Sequence, residues 1–220
     1  MKVLVACEFS GMVREAFRRK GHEAWSCDIL PADDASPYHI QADVDWLLNY
    51  PMRVAGHLPR YVREAEWDLL IAHPPCTYLC NSGVRWLYKQ GTRELVVNRW
   101  QAMHEAASFF GMLWAQRLIR IPKVCIENPV MHRHARDIIF GKTTDGTQTQ
   151  VIQPWQFGHP EVKATCLWLS EGLPKLEPTN IVEGRKPRVH HESPGPDRWR
   201  RRSITYSGIA EAMAEQWGGL

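Results

Sequence analysis

No stretch of the 220 residues is apolar over the roughly 20 positions that a helix needs to cross a bilayer. No CxxC pair occurs among the six cysteines at 7, 27, 76, 80, 125 and 166. The first absence argues against a membrane protein, and the second removes the usual signatures of structural zinc and dithiol redox chemistry. GxGxxG is absent, and the one Gly-Lys-Thr, at 141–143, has Arg136 where the GxxxxGKT pattern needs its first glycine, so a dinucleotide fingerprint and a P-loop are both unsupported. There is no internal repeat. The opening MKVLVACEF reads as a strand, not a secretory leader, because one Lys precedes a short apolar run that acid and turn residues follow. A cytoplasmic protein with reduced thiols is expected, and cysteines in that setting are core filler or chemistry.

What the chain does contain is material for one core. Hydrophobic residues make up 44% of it, enough for a single domain with a short appendage. Charge is nearly balanced, with 27 Lys+Arg against 24 Asp+Glu, but it is unevenly placed. Residues 185–202 hold seven cations (Arg185, Lys186, Arg188, Arg198, Arg200, Arg201 and Arg202) and two acids. That segment carries a net +5 of the overall +3, which leaves the remainder at −2. A neutral-to-acidic body with a basic segment fits a polyanion such as nucleic acid, although a solvated loop has the same composition. Ten tryptophans suggest aromatic surface as well as core; Trp86 and Trp199 are expected near substrate.

Residues 3–6 form a short apolar strand, followed by the turn Glu8-Phe9-Ser10-Gly11 and a helix over 12–20 that Gly21 ends. Strands are expected at 22–27, ending at Asp28, and at 41–44. Another is expected at 67–72, broken by His73-Pro74-Pro75. Residues 94–119 carry one apolar stripe at three- and four-residue steps and read as the longest helix. A strand at 121–126 then ends in Glu127-Asn128-Pro129. This alternation is that of an α/β, doubly wound sheet with helices on both faces. Ligands bind at the carboxyl ends of the strands in such sheets. Each unusual polar cluster falls at such an end: Glu8–Gly11, Asp28, Asp43, His73–Cys76 and Glu127–Pro129. Further along, 142–150 reads as a polar turn around Asp145-Gly146, 151–155 and 165–169 as strands, 172–199 as Pro/Gly-rich loop, and 208–217 as a closing helix.

The small-residue turn Phe9-Ser10-Gly11 lets a ligand approach the backbone, and the helix N-terminus after it favours a carboxylate or phosphate. An acid at Asp28 suits ribose hydroxyls, and Asp43 can accept from an exocyclic amine. His73-Pro74-Pro75-Cys76 is more specific. Two prolines fix φ and remove two donors, so the chain leaves the sheet along a stiff path that aims the Cys76 thiol. A nucleophilic Cys needs its thiolate, favoured by cationic neighbours, for which His73 and Arg85 are candidates. Glu127 at a nearby strand end can hydrogen-bond the amino group and ring nitrogen of a base.

Taken together, these motifs resemble the DNA cytosine-C5 methyltransferase family, and specifically its short phage and prophage members. The resemblance implies a Rossmann-like S-adenosylmethionine-dependent catalytic domain over 1–140 and 203–220. A reduced, basic, Pro/Gly-rich substrate-contact segment would occupy 141–202. It assigns Phe9, Ser10 and Gly11 to the cofactor loop, Asp28 and Ile29 to the ribose, Asp43 and Val44 to the adenine, and Pro74 to the cofactor pocket. It makes Cys76 the nucleophile that adds to carbon 6 of cytosine, supported by Pro75, Glu127 and Asn128. Ser82 and Arg85 would lie in a mobile loop against the substrate. Lys163 and Thr165 stand near the family's arginine-x-arginine, and Arg198, Arg200 and Arg201 would meet phosphates. The implied partner is DNA, duplex or single-stranded, with no metal, membrane or obligate protein partner.

The chain departs from the family pattern at several places. Thr77 replaces glutamine, Leu79-Cys80 replaces phenylalanine-serine, and Pro129 replaces valine. The large target-recognition domain is missing, with only 172–202 left to substitute for it. These departures keep open modification of a free cytosine nucleotide such as dCMP, or transfer of a group other than methyl. An exocyclic-amine methyltransferase fits less well, since His73 and Cys76 both miss its pattern. A non-catalytic DNA-binding or zinc module built on His73-x-x-Cys76-x-x-x-Cys80 is the remaining alternative. His132, His134, His190 and His191 read as surface or phosphate-contacting residues.

Overall fold

The computed structural model describes residues 1–50, 62, 65–141, 148–189 and 191–220. Among these, one sheet runs in the order β3-β2-β1-β4-β5-β7-β6. Its strands are β1 (Lys2–Ala6), β2 (Glu23–Asp28), β3 (His39–Gln41), β4 (Leu69–Ala72), β5 (Lys123–Pro129), β6 (Gln148–Ile152) and β7 (Thr165–Leu169). The described helices are α1 (Met12–Arg19), α2 (Val44–Asn49), α3 (Val97–Ile119), α4 (Arg133–Phe140), α5 (Arg198–Ser203) and α6 (Ser207–Trp217). None of them is long and apolar enough to cross a membrane.

The first five strands are mutually parallel, which requires crossover connections and buries both faces. Strand alternation then sorts the apolar residues. Leu4, Ala6, Leu70, Ala72, Val124 and Ile126 pack with Met103, Phe110 and Leu113 of α3. Val3, Val5, Leu69, Ile71 and Cys125 point the other way, onto Val13 and Phe17 of α1 and Ile209, Met213 and Trp217 of α6. The expected α/β class with helices on both faces is the one observed.

β7 runs antiparallel to β5, pairing Pro129 with Thr165 and Asn128 with Cys166. The start of β7 therefore lies at the carboxyl end of β5, on the edge where the parallel strands all finish. β6 and β7 come from the segment expected to contact substrate, and they complete the sheet. β6 begins earlier than expected and ends before Pro154, which opens a 3-10 turn at Pro154–Gln156. Glu127, Asn128 and Pro129 are the last residues of β5 itself, not a loop beyond it. α4 was not expected; the His132 ring accepts the Ala135 N–H (3.1 Å) at its start, and Phe140 stacks on Trp168 with centroids 4.8 Å apart. The expected turn at Asp145-Gly146 and His190 lie outside the described residues.

Candidate active site

The first turn is built by the chain's own charged groups. Cys7 adopts φ 58°, a left-handed conformation rare for a residue with a side chain, and its N–H donates to the Cys27 carbonyl at 2.7 Å. The buried Glu8 carboxylate then accepts the N–H groups of Val13 (2.6 Å) and Arg14 (3.2 Å). Glu8 thus fills the helix N-terminus that the sequence suggested for a ligand's carboxylate or phosphate. Gly11 follows with φ 71°, and a Cβ there would run into the guanidinium of Arg14. Arg14 is wholly buried, ion-paired to Asp34 and Glu15 and donating to Ser26 Oγ at 2.8 Å. Ser10 Oγ is 3.5 Å from the Met12 N–H.

Asp28 and Asp43 close this half of the site. The half-buried Asp28 accepts the Leu30 N–H at 2.9 Å. Burial pushes its carboxyl up, opposed by that hydrogen bond and by His39. Asp43 caps α2 by accepting the Asp45 N–H at 2.9 Å. Both acids lie close enough to raise the thiols of Cys7 and Cys27 beyond the effect of burial. Ile29 beside Asp28 is exposed, whereas Val44 is buried in the core.

β4 stops where the prolines begin. The His73 N–H makes the last ladder bond, to the Ala6 carbonyl at 2.9 Å. The chain then turns at Cys76, whose carbonyl accepts the N–H groups of Leu79 (3.0 Å) and Cys80 (3.1 Å). This turn is tied to the segment after β5: the His132 N–H donates to the Leu79 carbonyl (2.9 Å) and the Asn81 N–H to the Val130 carbonyl (3.0 Å). Asn128 is fully buried and donates to the Pro74 carbonyl at 3.4 Å. The PPC and ENP motifs, about fifty residues apart in sequence, therefore form one joined structure.

Glu127 is the electrostatic centre of this half. Its Oε2 lies 3.2 Å from His73 Nδ1. Burial alone would raise its carboxyl. The His73 hydrogen bond and charge, Lys163 and a hydrogen bond from Thr165 outweigh burial, so it is held below the usual carboxylate range. Thr165, at the start of the adjacent strand, thus hydrogen-bonds Glu127, and Lys163 just before that strand acts on it through charge. Sequence reasoning gave His73 a different role, beside Cys76. The groups that act on Cys76 are instead Cys80 and Glu127, and neither is cationic. His73 Nε2 and Asn128 Oδ1 are buried with no hydrogen-bond partner among the described residues. Burial pushes the Glu8 carboxyl up, opposed by His73 and by the Val13 and Arg14 N–H groups, and His73 also opposes, more weakly, the burial that raises Asp28.

The two thiols differ. The Cys76 thiol is pushed up, first by its hydrogen bond to Cys80, then by burial and by the Cys80 and Glu127 charges. The Cys80 thiol is lowered to about 5, first by the hydrogen bond from Cys76; burial opposes, while Ser82 and the backbone N–H of Gly83 assist. Ser82 Oγ lies 3.1 Å from Cys80 Sγ. Among the described residues, no group of three or more His, Cys, Asp or Glu side chains could hold a metal ion.

A cleft of about 740 Å³ adjoins the turn, lined by Arg85, Trp86, Tyr88, Lys89 and Arg99. Trp86 is 53% exposed, with the Arg85 guanidinium 4.7 Å from its ring centroid. Arg99 reaches the Thr77 carbonyl at 3.4 Å, one residue from Cys76. The basic C-terminal run is arranged differently from what its composition suggested. Arg198 donates to the Glu192 carbonyl (2.8 Å), Arg201 pairs with the Glu192 carboxylate (2.5 Å), Arg188 with Glu161 (2.6 Å), and Arg200 with Asp33. Trp199 meets Phe9 edge-on at 6.0 Å, and Arg200 lies over the same ring at 4.9 Å. α5 is therefore a cover on the first turn, a long-range contact with no local sequence signal.

This sheet and helix arrangement recurs in a prophage protein of E. coli assigned as a DNA modification methyltransferase, at TM-score 0.51 and 15% identity over 88% of this chain and 55% of that one. The fold is a methyltransferase fold. An Entamoeba histolytica methyltransferase aligns at TM-score 0.45 and 12% identity (89% and 60% covered). A Spodoptera frugiperda DNMT2 variant aligns at 0.41 and 14% (85% and 54% covered). The chain thus spans little more than half the length of these structures. No protein-family model matches the chain, and no curated protein matches it.

Proposed function

We propose that this protein is an S-adenosylmethionine-dependent methyltransferase that modifies carbon 5 of cytosine in DNA, with Cys76 as nucleophile. The observation that carries the reading is the joined Cys76 turn and Glu127–His73 pair at the carboxyl edge of a methyltransferase sheet. The donor set of the first half fits the cofactor. Asp28 presents a carboxylate at the β2 end for ribose hydroxyls, Asp43 lies beside it, and Gly11 keeps the turn free of a side chain. His73 Nε2 and Asn128 Oδ1, buried beside Glu127 and Pro74 without a partner among the described residues, are polar atoms that a bound molecule could satisfy. S-adenosylmethionine, when bound, supplies the methyl group.

The remaining chemistry belongs to the chain's residues. A cytosine taken out of its stack presents its ring to the turn. Cys76 sulfur adds to carbon 6, which makes carbon 5 nucleophilic. Glu127, braced by His73, Lys163 and Thr165, accepts a hydrogen bond from the exocyclic amine and shares a proton with the ring nitrogen as negative charge develops there. Water takes the carbon-5 proton while the carbon–sulfur bond breaks with its electrons returning to sulfur, which regains from solvent the proton it gave up on addition. Arg85, Trp86 and Arg99 would hold the strand beside the target base, and reduced thiols suit a cytoplasmic setting in a bacterial or phage-infected cell. Methyl transfer to duplex DNA, single-stranded DNA and dCMP, measured side by side, tests the substrate. DNA labelling is expected; labelling of dCMP alone would replace DNA by the free nucleotide.

A further inference from the structure

β4 lies between β1 and β5 in the sheet. Its register with β5 sets Ala72 against Ile126, so His73 and Glu127 come next, side by side at the carboxyl edge. The His73 backbone is fixed there by its N–H bond to the Ala6 carbonyl at 2.9 Å. The His73 side chain is 9% exposed and that of Glu127 16%, with Nδ1 standing 3.2 Å from Oε2. A histidine that only fills space at a strand end finds partners for both ring nitrogens when it is buried. Here Nδ1 faces a carboxylate, and the buried Nε2 has no hydrogen-bond partner among the described residues. Among those residues the imidazole is therefore hydrogen-bonded to its surroundings through Glu127.

Addition of sulfur to carbon 6 drives negative charge onto the base's ring nitrogen, which then needs a proton. Glu127 meets that nitrogen without a proton of its own. Burial would raise its carboxyl, but the His73 hydrogen bond and charge outweigh burial and hold it below the usual carboxylate range. The group behind it can carry one. Glu8 of the first turn and Asp28 of β2 also feel the charge of His73, and Lys163 acts on Glu127 from beside β7. Among these neighbours His73 is the residue hydrogen-bonded to the Glu127 carboxylate whose own proton is exchangeable near neutral pH.

On the reading of Cys76 and Glu127 as the residues that act on cytosine, we propose that His73 supplies, through Glu127, the proton that reaches the base's ring nitrogen. In the resting pair the imidazolium Nδ1–H donates to Oε2. As the Cys76 sulfur bonds to carbon 6, the Nδ1 proton passes to Glu127 and a carboxyl proton passes to the ring nitrogen. His73 is left neutral, with its hydrogen on Nε2. When the carbon–sulfur bond breaks, the ring nitrogen returns its proton to Glu127 and Nδ1 takes one back. No oxidant or reductant is involved.

The test compares wild type with His73→Asn, whose amide N–H stands where Nδ1 does and can hold Glu127 but cannot give up its proton. Single-turnover adduct formation with 5-fluorocytosine single-stranded DNA and S-adenosylmethionine is followed across about pH 5–9. Nitrogen-15 NMR of the histidine rings counts the protons on His73 over the same range, without substrate. His73→Asn is expected to bind the DNA with an unchanged Kd and to form adduct slower by about 10²-fold or more at neutral pH. The wild-type rate should fall on the alkaline side in step with the loss of a ring proton from His73, a limb that His73→Asn lacks. DNA carrying 5-azacytosine, in which a nitrogen replaces carbon 5 and takes the charge itself, should narrow the deficit of the variant. A residue that merely held Glu127 in place would show none of this: Asn would restore the rate, or the loss would be equal for both bases and at every pH. Either result overturns the proposal, as does a wild-type alkaline limb that does not follow His73. That last comparison uses wild type only, so it decides even if His73→Asn fails to fold. No adduct with wild type on any DNA form removes the nucleophile reading and this role with it, whereas wild-type adduct with an unimpaired His73→Asn removes the role and leaves the nucleophile.

Discussion

Replacing Gly11 by alanine isolates how tightly the first turn is packed. Gly11 and Gly91 have nearly the same backbone, φ 71° and 74°, and alanine at either position bears the same left-handed cost, about 1 kcal/mol. They differ in surroundings. Nothing lies within 4 Å of a Cβ at Gly91. At Gly11 a Cβ would displace the Arg14 guanidinium and stand 3.0 Å from Asp34 Oδ2. Arg14 is fully buried although its partner Asp34 is exposed, and pulling the buried guanidinium off its partners leaves charged donors unsatisfied, which costs about 3 kcal/mol. Gly11→Ala is therefore expected to lose about 4 kcal/mol or more, and Gly91→Ala about 1. For a chain of this length each kcal/mol is about 2–4 °C in Tm. Differential scanning calorimetry should show a fall of roughly 8 °C or more for Gly11→Ala and about 2–4 °C for Gly91→Ala. Equal shifts, or less than about 4 °C at Gly11, would refute the claim that Arg14 is locked beneath the turn.

Glu127→Gln should lower kcat/KM by about 10²- to 10³-fold, the usual loss on removing one preorganised charge-stabilising contact. Because the Glu127 carboxyl is depressed in the folded state, its contribution to stability is present above the unfolded value, about 4.3, and is lost as pH falls through the folded one. Acid melting curves of Glu127→Gln should lack that component; an unchanged acid-side loss would count against the His73–Glu127 pair. Trp86→Ala should weaken a labelled single-stranded oligonucleotide by about 1–3 kcal/mol, or 5- to 150-fold in Kd by fluorescence anisotropy, if a base stacks in the adjoining cleft. An unchanged Kd would remove the cleft from the substrate path.

Much of this site was legible because its signals are local. An apolar tetrapeptide followed by two prolines ends a strand and aims the next side chain, so the Cys76 turn follows from the chain itself. The three- and four-residue spacing through Met103, Ala107, Phe110 and Trp114 likewise defines α3 without reference to the rest of the fold. What escaped depends on partners distant in sequence. Glu8 looked like one more polar residue in a turn, and only the path of the backbone turns it into the cap of α1. Arg200, expected to meet phosphate, also pairs with Asp33, 167 residues away, a contact with no local signal. His73 lies closer to Cys76 in sequence than to Glu127, yet parallel pairing of β4 with β5 directs it across the strands. α4 is short and polar at its start, and its reason to be helical is the packing of Phe140 on Trp168.

The central claim is a covalent bond between Cys76 and cytosine. Fluorine at carbon 5 cannot leave as a proton does, so 5-fluorocytosine DNA with S-adenosylmethionine should halt the reaction at the adduct. Denaturing electrophoresis and peptide mass mapping should show a protein–DNA complex joined at Cys76, absent from Cys76→Ala. No complex on duplex or single-stranded DNA, or methyl transfer that persists in Cys76→Ala, would contradict the account.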